Sequence, residues 1–271
     1  MSTAHLLLCH TPPHHLPLMA QRAPQHHFYV HYDAKSDAGG IAFLNGLPNV
    51  SVLPQRIDVR WGGFSMIEAT LALMQAALAQ PQHQYFHLMS GDCLPLQTPE
   101  TIERQMAAAG AGCLFLTCEN VPRLRYRVRF SLPHADTSWQ RSLIGKCLTK
   151  AAQCADRLLP SRQTAWAGSQ WFSADRAAVQ LLLDAAADMR PFFQRKLCPD
   201  EHFFQFIAQR HAAQLALHND NRRCIRFAHG ANHPDWQTLP QVQAALNANQ
   251  FPLKMCYIPP CAQCQARVKQ R

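Results

Sequence analysis

The sequence of 271 residues predicts an α/β fold, a single domain whose mostly parallel central sheet is flanked by helices. Three observations carry that expectation. Apolar runs at 4–9, 28–32, 50–53, 85–89 and 113–118 have the length of buried strands. Alanine- and leucine-rich stretches with helix start and stop signals alternate with them. No linker, repeat or change of composition divides the chain, and its 48% of hydrophobic residues suffices for a sizeable core. The expected domain covers 1–255, and a basic tail covers 256–271.

The elements follow in order. The run at 4–9 ends at Thr11-Pro12-Pro13, which closes a buried strand in a turn, and a helix is expected over 16–21. The second strand, 28–32, leads into the polar turn Asp33-Ala34-Lys35-Ser36-Asp37, and 50–53 is the third. Ser65-Met66-Ile67-Glu68 has the form of a capping box, in which the serine oxygen accepts from the first turn and the glutamate reaches back. A helix should run from there to about Ala79 and stop before Pro81. The strand at 85–89 ends in Ser90-Gly91-Asp92. Thr98-Pro99-Glu100 starts a helix with proline at its first position, and Gly110 ends it before the strand at 113–118. Arg123, Arg125, Arg127 and Arg129 alternate with Leu124, Tyr126 and Val128, which predicts a strand with one basic face. Residues 173–188, capped by Ser173, and 199–209 read as helices. The last forty residues or so are irregular and contain several prolines.

Charge and composition exclude several classes. Lys+Arg 26 against Asp+Glu 17 give a net charge of +9, which suits nucleic acid, an anionic membrane surface or a phosphorylated substrate. No nucleic-acid reading module is visible, so nucleic acid is not the expected partner. No apolar run reaches the roughly 18 residues that span a bilayer, and no basic stretch precedes an apolar one at the N-terminus. The chain is therefore expected in the cytoplasm, peripheral at the inner face of the membrane if it meets one. Eleven scattered cysteines, an odd number, read as free core thiols of a reducing compartment. Cys261 and Cys264, with Cys256 nearby, supply too few ligands for zinc. His14-His15 and His26-His27 read as exposed loop residues.

In parallel sheets, ligands bind at the carboxyl ends of strands, which singles out His10, Asp33, Lys35, Ser90, Asp92 and Glu119. Four further motifs carry candidate chemistry. In Cys198-Pro199-Asp200-Glu201, the glutamate either complements a helix dipole or serves as a general base. In Gly168-Ser169-Gln170-Trp171, the glycine admits a close backbone approach and the indole offers a face for a sugar ring; the alternative is a turn into a buried aromatic. Arg60-Trp61-Gly62-Gly63 precedes a helix and could cradle phosphate, but it fits neither a P-loop nor a dinucleotide fingerprint. Arg222, Arg223, Arg226 and Lys254 are either a solvated surface or a diphosphate clamp. No Asp-x-Asp occurs anywhere.

The motifs occur in a fixed order: Tyr29-Val-His-Tyr-Asp33-Ala-Lys-Ser36, Arg60-Trp-Gly-Gly-Phe-Ser65, Leu88-Met-Ser-Gly-Asp92-Cys-Leu-Pro95, Gly168-Ser-Gln-Trp171 and Pro199-Asp-Glu201. That series resembles the core-2/I-branching glycosyltransferases, glycosyltransferase family fourteen with its plant and bacterial branches, from about His5 to Phe251. The resemblance implies a GT-A-like (Rossmann-like) fold and an inverting transferase working from a UDP-sugar, most often UDP-N-acetylglucosamine. It also implies no metal and no other cofactor, in keeping with the missing Asp-x-Asp. Glu201 would be the catalytic base. Donor contacts would come from Asp33, Arg60, Trp61, Asp92, Arg223, Arg226 and Lys254, and acceptor contacts from Glu119, Arg125, Arg127, Ser169 and Trp171. The acceptor would be a glycan, lipid-linked or phosphorylated, of a bacterial surface. Two positions depart from the family. Gln250 stands where relatives carry the lysine that offsets the leaving diphosphate, so Lys254 or another cation must substitute. Asp92 lies three residues before Pro95, where the animal pattern has two. The Gln250 departure leaves a second reading, a non-catalytic nucleotide- or glycan-binding protein on the same scaffold.

Overall fold

The computed structural model describes residues 2–224, 240 and 255–257. Its first half alternates as expected: β1 (Ser2–Cys9), α1 (Leu16–Arg22), β2 (His27–Tyr32), β3 (Val50–Val52), α2 (Phe64–Leu78), β4 (His83–Ser90), β5 (Cys93–Pro95), α3 (Pro99–Ala108) and β6 (Cys113–Phe115). The second half adds β7 (Glu119–Asn120), α4 (Arg125–Arg129), α5 (Leu143–Leu158), β8 (Trp166–Ala167), β9 (Ser173–Asp175), α6 (Arg176–Phe193), α7 (Phe203–Arg210), β10 (Ala216–His218), β11 (Arg223–Cys224) and β12 (Met255–Tyr257). The central sheet has seven strands in the order β10-β6-β9-β4-β1-β2-β3. All neighbours run parallel except β9, which is antiparallel to β4 and β6. β12 pairs with β5 and β11 in a small second sheet and runs across the boundary expected at residue 255.

Both faces of the sheet are covered, which is why its strands read as continuous apolar runs. Ala4 and Leu6 of β1, with Phe86 and Leu88 of β4, face a large core closed by α2, α6 and α7. Leu7 and Cys9, one residue out of phase, face a smaller core closed by α1. Phe203 meets Phe64 of α2 at 5.8 Å and Phe193 of α6 at 5.4 Å, both edge to face, and these contacts lock three helices together. Histidines enter the sheet as well. Of the two histidines expected in an exposed loop, His27 opens β2, and His26, directly before it, is buried, 3.0 Å from His5, and packs against Glu103. Burial drives the His5 and His87 pKa values well below the ordinary range and brings His83 down to about 4, so these rings are neutral at pH 7. The cysteines described with side chains are free thiols, four of them buried.

Four local expectations are corrected. The capping box does not form: α2 starts at Phe64 with Gly63 as its cap residue. Glu68 instead pairs with Arg190 of α6. The capping acceptor is Asp136, distant in sequence, whose carboxylate accepts the Ser65 N–H at 3.1 Å and the Ser65 hydroxyl at 2.8 Å. Residues 125–129 form a helix and not a strand, preceded by a 3-10 turn over Pro122–Leu124. Ser173 belongs to β9, and α6 is capped by Asp175, which accepts the Ala178 N–H at 2.8 Å. The helix expected over 199–209 is split into a 3-10 turn, Pro199–Glu201, and α7.

A carboxylate supplied from outside the helix should behave as a cap. Asp136→Ala is expected to cost about 1–2 kcal/mol and to lower the thermal midpoint by several degrees, whereas Asp136→Asn, which keeps an acceptor and tolerates the left-handed backbone found there, should retain most of the stability. Equal midpoints for Asp136→Ala and the parent chain would show that water caps α2 as well as the carboxylate does.

Candidate active site

The site is built around the turn Pro199–Glu201. Cys198 enters it in the left-handed region, at φ 47°, which is costly for a residue with a side chain. Neighbouring backbone holds it there: the Cys198 N–H donates to the Gly62 carbonyl at 3.0 Å, and the Gly168 N–H donates to the Glu201 carbonyl at 2.9 Å. His202 anchors the far end, its Nδ1 bonded to the Trp166 carbonyl at 2.8 Å. Burial holds the His202 pKa down to about 4, so the ring is a neutral donor with Nδ1 protonated. The arginine–glycine motif before α2, the Gly168 motif and the Pro-Asp-Glu turn therefore meet in one place.

Glu201 leaves this turn with its side chain 43% exposed, and its carboxylate is paired with the guanidinium of Arg127. Arg127 is a product of the α4 helix. Arg125 and Arg129, one turn apart, share a face and both reach Asp156 of α5, at 2.9 and 3.2 Å, while Arg127 points the other way. Burial alone would raise Asp156, but the hydrogen bonds from Arg125 and Arg129 outweigh it and hold its carboxyl below the ordinary range. The alternation of arginines in the sequence hid this i, i+4 pair. Beside Glu201, the Oδ1 of Asp200 is buried without a hydrogen-bond partner. Its pKa is pushed up to about 7 by burial first and by the charge of Glu201 second.

The glycines act within the protein. A Cβ on Gly63 would lie 2.0 Å from Oδ1 of Asp136, so the place before α2 that could cradle phosphate is filled by the chain's own carboxylate. A Cβ on Gly168 would lie 1.8 Å from the Thr117 carbonyl, and that contact, between two backbone segments, is what demands glycine. Ser169 accepts the Trp171 N–H through Oγ, and Trp171 packs half-buried against the main core.

The remaining predicted residues fall into separate groups. Asp33, buried at the end of β2, pairs with Lys35 at 3.0 Å, and Lys35 bridges to Asp58, which faces Arg60 at 3.6 Å. Arg60 also donates to the Asp136 carbonyl at 2.7 Å, so a polar chain links the end of β2 to the Glu201 region. Trp61 is largely exposed, with the Arg141 guanidinium 5.4 Å from its ring centre. Glu119 is exposed on β7. Asp92 is half-buried after β4, its N–H donating to the Ser90 hydroxyl at 3.3 Å. Arg223 is buried inside the fold: it donates to the carbonyls of Leu88, Phe172 and Asn221 at 3.0, 2.7 and 2.8 Å and to Ser173 at 3.0 Å. Arg226, Gln250, Lys254, Cys261 and Cys264 lie outside the described residues. Asp136, Asp58 and Asp156 were missed in the sequence because each stands alone, outside any motif. Grooves of about 610 and 540 Å³ flank α6, but no candidate site residue lines either.

Known proteins resemble this chain over most of its length. The family model described as Core-2/I-Branching enzyme matches residues 4–250. Xylosyltransferase 2 of Homo sapiens is 26% identical over 212 residues, which cover 75% of this chain and 24% of that protein. Xylosyltransferase oxt of Drosophila melanogaster is 24% identical over 203 residues, 71% of this chain and 22% of that protein. The chain thus spans about a quarter of the length of the curated relatives it matches. Among solved structures, mouse xyloside xylosyltransferase 1 in its apo form superposes with a TM-score of 0.39 at 12% identity, covering 80% of this chain and 84% of that one, too loosely to carry an argument.

Asp200 makes the site's electrostatics measurable. It binds its proton near pH 7 when folded and at the ordinary carboxyl value of 3.8 when unfolded. The stability it contributes is thus complete below pH 4 and lost as pH rises through 7, on the order of 2 kcal/mol after allowance for partial solvent access. The midpoint of Asp200→Asn minus that of the parent chain should therefore grow between pH 5 and pH 8. A difference that does not change with pH would show the Asp200 carboxylate to be solvated.

Proposed function

The chain belongs to the Core-2/I-branching enzyme family, and from that premise we propose that it is an inverting glycosyltransferase that moves a sugar from a UDP-sugar to a hydroxyl of a glycan acceptor, with Glu201 as general base. The observation that carries this reading is the half-exposed Glu201 carboxylate on a turn pinned by backbone bonds to two other family-like motifs, with Arg127 paired to it. A base must be fixed and reachable, and this carboxylate meets both requirements.

In this mechanism Glu201 accepts the proton of the acceptor hydroxyl as that oxygen attacks the anomeric carbon on the face opposite UDP. The new C–O bond forms while the bond to the diphosphate oxygen breaks, so the anomeric configuration inverts. Arg127, paired with Glu201, holds the carboxylate in position before the proton is taken. The leaving diphosphate needs fixed positive charge. Arg223 is occupied by backbone carbonyls, so we assign the clamp to Arg226 and Lys254. The missing Asp-x-Asp favours a reaction that uses no metal. The family resemblance favours UDP-N-acetylglucosamine as donor, and the xylosyltransferase relatives favour UDP-xylose. The net charge of +9 favours an acceptor carried on an anionic membrane or bearing phosphate; a cytoplasmic enzyme of surface-glycan assembly fits that pairing. Gln250, in the place of the family lysine, favours the second reading, a binding protein that holds nucleotide or glycan without turnover.

UDP release from a panel of UDP-sugars, with glycan extract and with or without EDTA, tests the proposal. One donor should dominate, and EDTA should leave its rate unchanged; release only with added Mg²⁺ or Mn²⁺ would refute the cation clamp. Glu201→Gln should lower kcat at least about 100-fold while UDP affinity stays within about threefold. Full transfer by that variant would remove Glu201 as the base.

A further inference from the structure

We propose that the outer face of α5 is a docking surface for an anionic lipid bilayer. The helix is amphipathic in the wrong sense for a core element. Its inward face buries only Gly145, Ala152 and Asp156. Its apolar side chains point out: Leu143 is 80%, Ile144 67% and Leu158 81% exposed, and Leu159 continues the patch beyond the helix end. Leu143, Cys147, Cys154 and Leu158 stand at i, i+4, i+11 and i+15, which places them along one stripe. Lys146, Lys150 and Arg157 repeat the same spacing one strip round the helix, and all three are exposed. Arg141 and Arg162, at either end, are exposed too. Between Thr137 and Gln163 the only acidic residue is Asp156, which is buried against Arg125 and Arg129.

An apolar stripe that the core does not use, edged on one side by cations and lacking any exposed acid, matches a bilayer interface. The leucines and Ile144 enter the acyl boundary while Lys146, Lys150 and Arg157 stay at the headgroups, their stems lying along the stripe. Charge decides between lipid and a second copy of the chain: two such faces would bring like charges together, whereas an anionic leaflet attracts each cation. The membrane face also lies next to the chemistry. Asp156 on the inner side of α5 holds α4, whose opposite face presents Arg127 to Glu201. The bilayer would thus sit one helix away from the carboxylate, suited to an acceptor carried on lipid. The docking surface does not rest on the transferase reading, because it is tested by lipid binding alone.

The test is flotation of the full chain with vesicles of phosphatidylcholine, with and without about 30% phosphatidylglycerol, at low and high salt. We expect recovery with the anionic vesicles only, and weaker recovery at high salt. Two variants address the two halves of the stripe: Lys146→Glu with Lys150→Glu, and Leu143→Asn with Leu158→Asn. Each should reduce partitioning at least about tenfold without changing the thermal midpoint, since all four side chains are exposed. No flotation with either vesicle, equal flotation with both, or retention by both variants would overturn the proposal. So would a dimer in the absence of lipid that Leu143→Asn with Leu158→Asn disperses, because a second copy would then be what covers the stripe. Sugar transfer is not read in this experiment, so its failure leaves the assignment of Glu201 untouched.

Discussion

Two backbone hydrogen bonds hold the site together. The Cys198 N–H on Gly62 and the Gly168 N–H on the Glu201 carbonyl clamp a turn that would otherwise be unfavourable, since Cys198 has a side chain and sits at positive φ. Gly62 itself has φ 66°, and Gly168 has no room for a Cβ beside Thr117. Immediately after the turn, Phe203 wedges between α2 and α6, so the turn cannot rotate without breaking an aromatic cluster in the main core. In the proposed mechanism the Glu201 carboxylate has to meet the acceptor hydroxyl, and such support matters there because misplacement by about 1 Å is costly in rate.

Charge is handled by the same economy of parts. α4 is five residues long, yet its two faces do different things: Arg125 and Arg129 neutralise buried Asp156, and Arg127 serves the half-exposed Glu201. A buried carboxylate without partners would be strongly destabilising, and two arginines one turn apart answer that with a single short helix. On the other side of the turn, Asp200 is half-buried beside Glu201 with one buried oxygen unpaired, and burial and the neighbouring charge raise its pKa. Of the two adjacent carboxyls, the reachable one pairs with arginine.

Arg223 illustrates how tertiary structure reassigns a side chain. Its guanidinium ties the ends of β4 and β9 to the segment that follows β10, through Leu88, Phe172, Ser173 and Asn221. β9 is the strand that runs against the others, and the guanidinium sits where it meets β4. A residue that looks like a phosphate ligand in sequence serves here as a cross-strand brace.

The sequence by itself determined five of the seven strands of the central sheet, all but β9 and β10, and most of the helices, because strand runs apolar on both faces and signals such as Thr98-Pro99 act locally or through simple periodicity. It also set the order of the motifs, three of which the fold brings together. What it could not show was anything that depends on residues far apart coming together. Asp136 replaces the Ser65–Glu68 box because a carboxylate seventy-odd positions away reaches the α2 N-terminus first. Residues 123–129 alternate like a strand, but 125–129 form a helix whose one face brings two arginines onto Asp156. The outward apolar stripe of α5 is invisible in a linear reading, since periodicity shows that a helix has an apolar side but not which side the core takes. Local propensity and pattern are properties of the chain, whereas capping at a distance, charge pairing and the direction of burial are decided only when the chain has closed on itself.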